Sequence, residues 1–151
     1  MKLIGYALFI IVFMIDSCAL ESKFSLPKNE KVDSKLLGTW HSENDIDSLD
    51  WIKIEALDGF TYKLTLNDDN LTAFTTTFSK YRIVNVVDES NVKPNMFYGF
   101  IVKKDELQFM EVTDKLTQGD FNSQKELIHF FKNNIENPKF FVNPEKYQRM
   151  K

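Results

Sequence analysis

The sequence predicts a mainly β protein: an antiparallel up-and-down barrel of about eight strands with one C-terminal helix packed outside it. Short segments rich in β-branched and aromatic residues follow one another at nearly even spacing, with turn residues between them. One later segment instead carries the capping residues and the 3.6-residue period of a helix. The composition, with 43% hydrophobic and 27% charged residues in a chain of 151, is that of an ordinary globular domain.

Seven predicted strands lie between residues 36 and 112. The clearest alternation runs from Phe60 to Leu66, where every second residue is apolar, and Asp58-Gly59 before it predicts a hairpin turn. Such alternation places one face of a strand on the core and the other in solvent. The predicted strands are residues 36–41, 51–56, 60–66, 71–78, 81–87, 96–102 and 106–112.

A helix is predicted after residue 122, where the period of the apolar residues changes. Residues 123–126 match the S-x-x-E capping box, which satisfies backbone donors at a helix start. Asn137-Pro138 ends the helix, because the residue before a proline disfavours helical geometry. The apolar stripe of this helix consists of Leu127, Ile128, Phe131 and Ile135.

Residues 96–102 are apolar on both faces, whereas a strand with one solvated face needs only one apolar face. We therefore expect the helix to cover the outer face of this strand, where Phe97 and Ile101 lie. Gly99 would let the backbones approach closely there. Residues 139–142 are the predicted eighth strand, and Asn143-Pro144 predicts a short helical turn after it.

Residues 1–17 have the features of a secretory signal peptide, and their apolar run is too short to span a bilayer. Ile15-Asp16-Ser17-Cys18 resembles a bacterial lipobox, although Asp16 stands where a small or hydroxyl residue is usual. The resemblance implies a lipid anchor on Cys18. Ala19 after it is similar to the pattern that sends lipoproteins to the outer membrane, facing the periplasm. The alternative is cleavage after Ala19, which gives a secreted or periplasmic soluble protein.

The rest of the chain divides into two parts. Residues 18–34 are predicted to be the lipidated cysteine and a flexible tether, because they are polar and carry no period. Residues 35–151 are predicted to be a single barrel domain, long enough to bury a sizeable core without a disulfide.

Leu36-Leu37-Gly38-Thr39-Trp40 resembles the first-strand signature of lipocalins, and the order of elements over residues 35–151 is similar to uncharacterised bacterial lipocalin-like lipoproteins. The resemblance implies an eight-stranded up-and-down barrel. It also implies that Trp40 plugs one end and that a late arginine, Arg149, stacks across it. Thr113-Asp114-Lys115 departs from the family's second motif, which has tyrosine in third place.

Charge and motif content exclude several functions. A net charge of −3 and a pI near 5.4 differ from the basic balance of nucleic-acid-binding domains. The only two histidines, His41 and His129, and the single cysteine make no zinc-binding spacing. No glycine-rich phosphate loop or nucleophile motif occurs. We expect no catalytic residue, no metal, no cofactor and no nucleic-acid partner.

The aromatic residues of the predicted strands leave two functions open. A small barrel is either filled by its side chains or holds one small ligand. A cavity predicts a non-catalytic protein that binds a small apolar or amphipathic ligand. A filled barrel predicts a protein-interaction module of the envelope, such as an inhibitor, immunity or assembly factor, acting through acidic loops such as residues 43–50. The candidate interior residues are Tyr62, Leu64, Phe74, Thr75, Thr77, Tyr98, Phe100 and Phe109.

Overall fold

The computed structural model describes residues 19–43, 51–66, 69–90, 93–117 and 119–151. The predicted signal peptide, Cys18 and nearly all of the acidic segment 43–50 lie outside these residues. A 3₁₀ turn covers Ser34–Leu36, and the one α-helix of the described residues, α1, covers Gln124–Asn134. The strands are β1 Glu21–Ser22, β2 Gly38–Ser42, β3 Trp51–Ala56, β4 Tyr62–Leu66, β5 Asp69–Phe78, β6 Tyr81–Val87, β7 Asn95–Lys103, β8 Glu106–Val112 and β9 Phe141–Arg149.

Strands β2–β9 close into an antiparallel barrel with the predicted up-and-down order. The ring is completed by β9, which pairs with β8 on one side and with β2 on the other. At this seam Arg149 lies opposite Trp40. The predicted barrel class is therefore confirmed, and β1 is an additional short strand outside the ring, paired with β7.

The two ends of the barrel are built differently. At one end, which we call the closed end, lie the start of β2, the end of β9 and the turns at 57–61, 79–80 and 104–105. At the other end, which we call the mouth, β2, β4, β6 and β8 finish. The helix and its flanking residues connect β8 to β9 from the mouth.

The start of α1 follows the predicted capping box. Ser123 is the N-cap, and its hydroxyl oxygen accepts a hydrogen bond from the Glu126 backbone N–H at 3.1 Å. The Glu126 carboxylate in turn accepts from the Asn122 backbone N–H at 2.8 Å. Two backbone donors at the helix start are thereby satisfied, which stabilises this end of the helix.

The helix packs outside the barrel, as predicted, against strands β5–β7. Phe131 is fully buried, and its ring centroid lies 5.3 Å from that of Phe78 and 5.4 Å from that of Phe97. The predicted close approach at Gly99 involves another neighbour: a Cβ there would clash with the ring of Phe141 in β9. Ile101 stays 45% exposed, so the cover reaches only the mouth-side part of β7.

The predicted helical turn at Asn143-Pro144 is wrong, because β9 continues through this dipeptide to Arg149. Asn143 has a φ of 51°, in the left-handed region. The pairing with β8 shifts register here, so that Val142 and Glu145 flank a bulge. A bulge leaves a residue unpaired, and the missing N–H of proline is tolerated at such a place.

The predicted flexible tether is also wrong for the residues that the structure describes. The N-terminal segment, residues 19–33, lies along the outer wall of the barrel and then under its closed end. Its strand β1 places Glu21 opposite Met96 of β7. Leu20 and Leu26 are 2% and 1% exposed and belong to the same outer core as α1.

Hydrogen bonds fix the polar part of the N-terminal segment to the outer wall. The Leu26 backbone N–H donates to Oδ1 of the fully buried Asn85 at 2.8 Å. The Thr76 hydroxyl donates to the Pro27 carbonyl at 2.8 Å. An extended segment of this kind needs no regular period, because each buried side chain fills its own gap in the wall.

Candidate functional site

The barrel interior contains a cavity of about 250 Å³. Its body is apolar, and its upper rim includes the exposed side chains of Asn143 and Glu145 at the mouth. The barrel is therefore not filled by its own side chains. The apolar lining includes Ile52, Ile54, Leu64, Val84, Val86 and Phe100.

Trp40 and Arg149 close the other end of the barrel. The indole of Trp40 is fully buried, and its Nε1–H donates to the Leu36 carbonyl at 3.0 Å. The guanidinium carbon of Arg149 lies 4.2 Å from the centroid of the Trp40 ring, which is the stacking implied by the lipocalin resemblance. Arg149 also donates to the carbonyls of Leu37 at 2.6 Å and Lys35 at 2.9 Å. The arginine thus joins the start of the barrel to its last strand.

The Gly-x-Trp motif has a local physical reason in this structure. Gly38 has a φ of +137°, which L side chains rarely adopt. A Cβ at this position would lie 2.7 Å from Nη1 of Arg149. Glycine two residues before Trp40 therefore leaves the space in which the guanidinium reaches the indole.

Polar groups also lie at the bottom of the cavity. The Tyr62 hydroxyl accepts from the Asp33 backbone N–H at 2.7 Å, and Arg82 forms an ion pair with the Asp33 carboxylate at 2.9 Å. The guanidinium of Arg82 lies 4.6 Å from the Phe100 ring centroid. The buried Thr75 hydroxyl donates to Glu30 at 3.3 Å. The positive charge of Arg82 is therefore already paired.

The wall formed by β7, β8 and β9 is aromatic and carries the polar groups of the mouth. The ring centroid of Phe109 lies 6.4 Å from that of Tyr98 and 5.8 Å from that of Tyr147. Glu111 accepts from the Asn143 side-chain amide at 3.0 Å, and the Tyr147 hydroxyl donates to Glu145 at 3.0 Å. All of these side chains line the cavity.

Most of the predicted interior residues line the cavity, but Phe74 and Thr77 do not. Phe74 points outward into the core beneath the helix and the N-terminal segment. Thr77 lies near the closed end of β5 and is exposed to solvent. The predicted interior residues that do line the cavity are Tyr62, Leu64, Thr75, Tyr98, Phe100 and Phe109.

The sequence prediction missed the acidic residues of the cavity. The alternation that places Leu107 and Phe109 inward extends to Glu111, so the signal for this residue was present. Glu145 and Tyr147 follow Asn143-Pro144, where the sequence predicts a helical turn and not a strand with an inward face. The bulge that keeps this stretch extended has no clear sequence signal besides Asn143.

The pKa of the Tyr98 phenol is raised above its usual value. Burial is the main cause, and the carboxylates of Glu111, Glu21 and Glu145 add to it. The folded state therefore holds the phenol proton more tightly than the unfolded chain does. This contribution to the free energy of unfolding is fully present below pH of about 10 and is lost as the pH rises above it.

Replacing Glu111 by glutamine is expected to lower the pKa of Tyr98 toward its usual value, because one neighbouring negative charge is removed. An absorbance titration of tyrosinate measures the shift, and a Tyr98→Phe protein identifies the contribution of this residue. Glu55→Gln removes a charge from the outer face of β3 and is expected to leave the titration unchanged. An unaltered Tyr98 titration in Glu111→Gln would contradict the proximity of the two groups.

Other kinds of site find no support in the part of the chain that the structure describes. It contains no group of three or more His, Cys, Asp and Glu side chains that could hold a metal ion. His41 is half-buried and His129 is exposed. Among the same residues, no helix combines the length and apolar character needed to cross a bilayer.

Comparisons of the chain with protein-family models, with curated proteins and with solved structures found no match.

Proposed function

We propose that this protein is a non-catalytic, lipocalin-like carrier or receptor for a small amphipathic ligand, held at the cell envelope by a lipid on Cys18. The observation that carries the proposal is the open, mainly apolar cavity of about 250 Å³ inside the barrel. Small-molecule sites are typically concave and apolar with a few polar groups that orient the ligand. The hydroxyls of Tyr62 and Tyr98 and the polar rim supply such groups.

The size of the cavity limits the ligand. A dry cavity of about 150 Å³ is enough for benzene in a protein core. A cavity of about 250 Å³ therefore suits a molecule with one ring or one short chain. The alternative of a filled barrel that acts only through protein contacts lacks support, because the interior is not filled.

The envelope location rests on the lipobox resemblance of residues 15–18 and on the signal-peptide pattern before it. We place the protein at the outer membrane, facing the periplasm, because of Ala19 after the cysteine. Mass spectrometry of the protein made in a bacterial host tests this part directly. A mature N-terminus at Cys18 with an added acyl mass supports it, and an unmodified chain that starts after Ala19 contradicts it.

Replacing Ala73 by leucine is expected to weaken ligand binding while keeping the fold. Ala73 is fully buried in the cavity lining, so the larger side chain fills empty space. Filling a cavity commonly stabilises a protein by about 0.5–2 kcal/mol. Calorimetric titration with the neutral probe phenylbutanol is expected to show affinity at least about tenfold lower, which corresponds to about 1.4 kcal/mol.

Ala56→Leu makes the same chemical change at an exposed position of β3 and is the matched control. Its affinity for phenylbutanol is expected to equal that of the unmodified protein. Equal affinity in Ala73→Leu would place the probe outside the barrel and would contradict the proposed function.

A further inference from the structure

Carboxylates without a positive partner surround the mouth of the cavity. Glu111 and Glu145 line the cavity itself. Glu21 lies opposite the lining residue Met96, and all three carboxylates are close enough to Tyr98 to raise its pKa. Within the described ranges, no lysine, arginine or histidine forms an ion pair with any of the three.

Among the residues that the structure describes, the lining of the cavity contains no lysine, arginine or histidine. The chain has only two arginines, and both belong to the closed end, where Arg82 pairs with Asp33 and Arg149 with Asp105. The charged residues among those that line the cavity are therefore both acidic, Glu111 and Glu145.

Aromatic rings lie on the same wall as these carboxylates. Tyr98, Phe109 and Tyr147 form a continuous edge-to-face series along β7, β8 and β9. The face of an aromatic ring attracts a cation, and groups of such rings recognise quaternary ammonium groups. The carboxylates and the aromatic rings lie at the same opening, and both favour a ligand group with a positive charge.

Desolvation of the carboxylates on ligand binding strengthens the preference for a cationic ligand. A ligand that fills the cavity also covers its rim and removes water from Glu111, which is already half-buried. A carboxylate that loses water without gaining a partner costs free energy, whereas one that gains a cation recovers it. A neutral ligand leaves this cost uncompensated, and an anion adds repulsion.

We propose that the ligand is an organic ammonium ion, with its apolar body inside the barrel and its charged nitrogen at the mouth between Glu111, Glu145 and the aromatic wall. This inference rests on the proposed ligand-binding function. A phospholipid headgroup does not fit as well, because its phosphate would lie beside the carboxylates and its two acyl chains exceed a cavity of about 250 Å³. The ligand class is a free amine or quaternary ammonium compound with one small apolar group.

Three probes of one shape and three charges test the inference: phenylbutylamine, phenylbutanol and phenylbutanoate. Calorimetric titration of the unmodified protein is expected to give an affinity about tenfold higher for the amine than for the alcohol, with the carboxylate binding most weakly. The double variant Glu111→Gln/Glu145→Gln is expected to bind the amine and the alcohol equally. Its affinity for the alcohol is expected to be no lower than that of the unmodified protein.

The controls separate this inference from the proposed function. Glu55→Gln, on the outer face, is expected to keep the full preference for the amine. If the unmodified protein binds amine and alcohol equally, the ammonium inference fails and the ligand-binding function stands. If none of the three probes binds, the proposed function fails with it. Vesicles of a choline phospholipid are the last control. If the protein binds these vesicles and an excess of free phenylbutylamine does not displace it, the nitrogen belongs to a lipid headgroup, and the choice of a free amine is overturned.

Discussion

Replacing Phe131 by alanine is expected to lower the free energy of unfolding by about 3–5 kcal/mol, the usual cost of truncating a buried aromatic residue. Its ring is fully buried and contacts the rings of Phe78, Phe97 and Phe140, with centroids 5.3, 5.4 and 5.5 Å away. Truncation therefore leaves a cavity between α1 and the outer wall of the barrel. Urea denaturation followed by tryptophan fluorescence measures the change.

The matched control is Phe60→Ala, which removes the same side chain from the hairpin turn at the closed end. Phe60 is 41% exposed, so its loss is expected to change stability by about 0.5 kcal/mol or less. Similar destabilisation in both variants would show that α1 does not depend on Phe131 for its attachment to the barrel.

Replacing Gly38 by alanine is expected to destabilise the protein by about 2–4 kcal/mol, although the substitution adds only one methyl group. Part of the cost is backbone strain, because φ is +137° and such conformations cost about 1–3 kcal/mol for other residues. The rest comes from the clash with Arg149 Nη1, 2.7 Å from the new Cβ. Denaturant unfolding is again the measurement.

Two other glycines separate strain from clash. Gly119 has a φ of +138° but an added Cβ would meet nothing within 4 Å, so Gly119→Ala reports strain alone. Gly59 has neither a positive φ nor a near neighbour, and Gly59→Ala is expected to be close to neutral. Equal losses in Gly38→Ala and Gly119→Ala would contradict a steric role for Gly38 in seating Arg149.

The barrel and its helix were predictable because their signals are local. Residues 62–66 alternate between apolar and polar because one face of this strand is solvated. The capping residues at 123–126 are recognisable because they bind backbone donors of the same helical turn. The closure of the barrel was predictable from the nearly even spacing of the strands and from the resemblance of the short motif that ends in Trp40. The motif is linked to Arg149, more than a hundred residues away, because the guanidinium of Arg149 stacks on the Trp40 ring.

Local signals fail where a residue's partner lies outside its own element. Phe74 and Thr75 are both buried, since the outer face of β5 is covered by the helix and the N-terminal segment. With both faces buried, hydrophobicity no longer shows which face is inward. The N-terminal segment was predicted as a tether for the same reason, because Leu20 and Leu26 fill gaps whose other walls come from distant strands.

The residues of the candidate site also differ in how well the local sequence pattern predicts them. Alternation was sufficient for Tyr62 and Tyr98, which lie in strands with a clear period. It was insufficient for Glu145, because a left-handed residue and a proline interrupt β9 just before it. The backbone irregularity of β9 therefore hid Glu145, whereas the apolar half of the site and Glu111 follow the alternation of their strands.

The start of the described chain has a consequence for orientation. Ala19 forms a β-bridge with Thr113, directly beside the mouth of the barrel. Under the proposed lipidation, the acylated Cys18 is the next residue, and adjacent Cα atoms are only about 3.8 Å apart. This short link would restrict the orientation of the barrel relative to the bilayer. With that anchor, the mouth would lie close to the lipid surface.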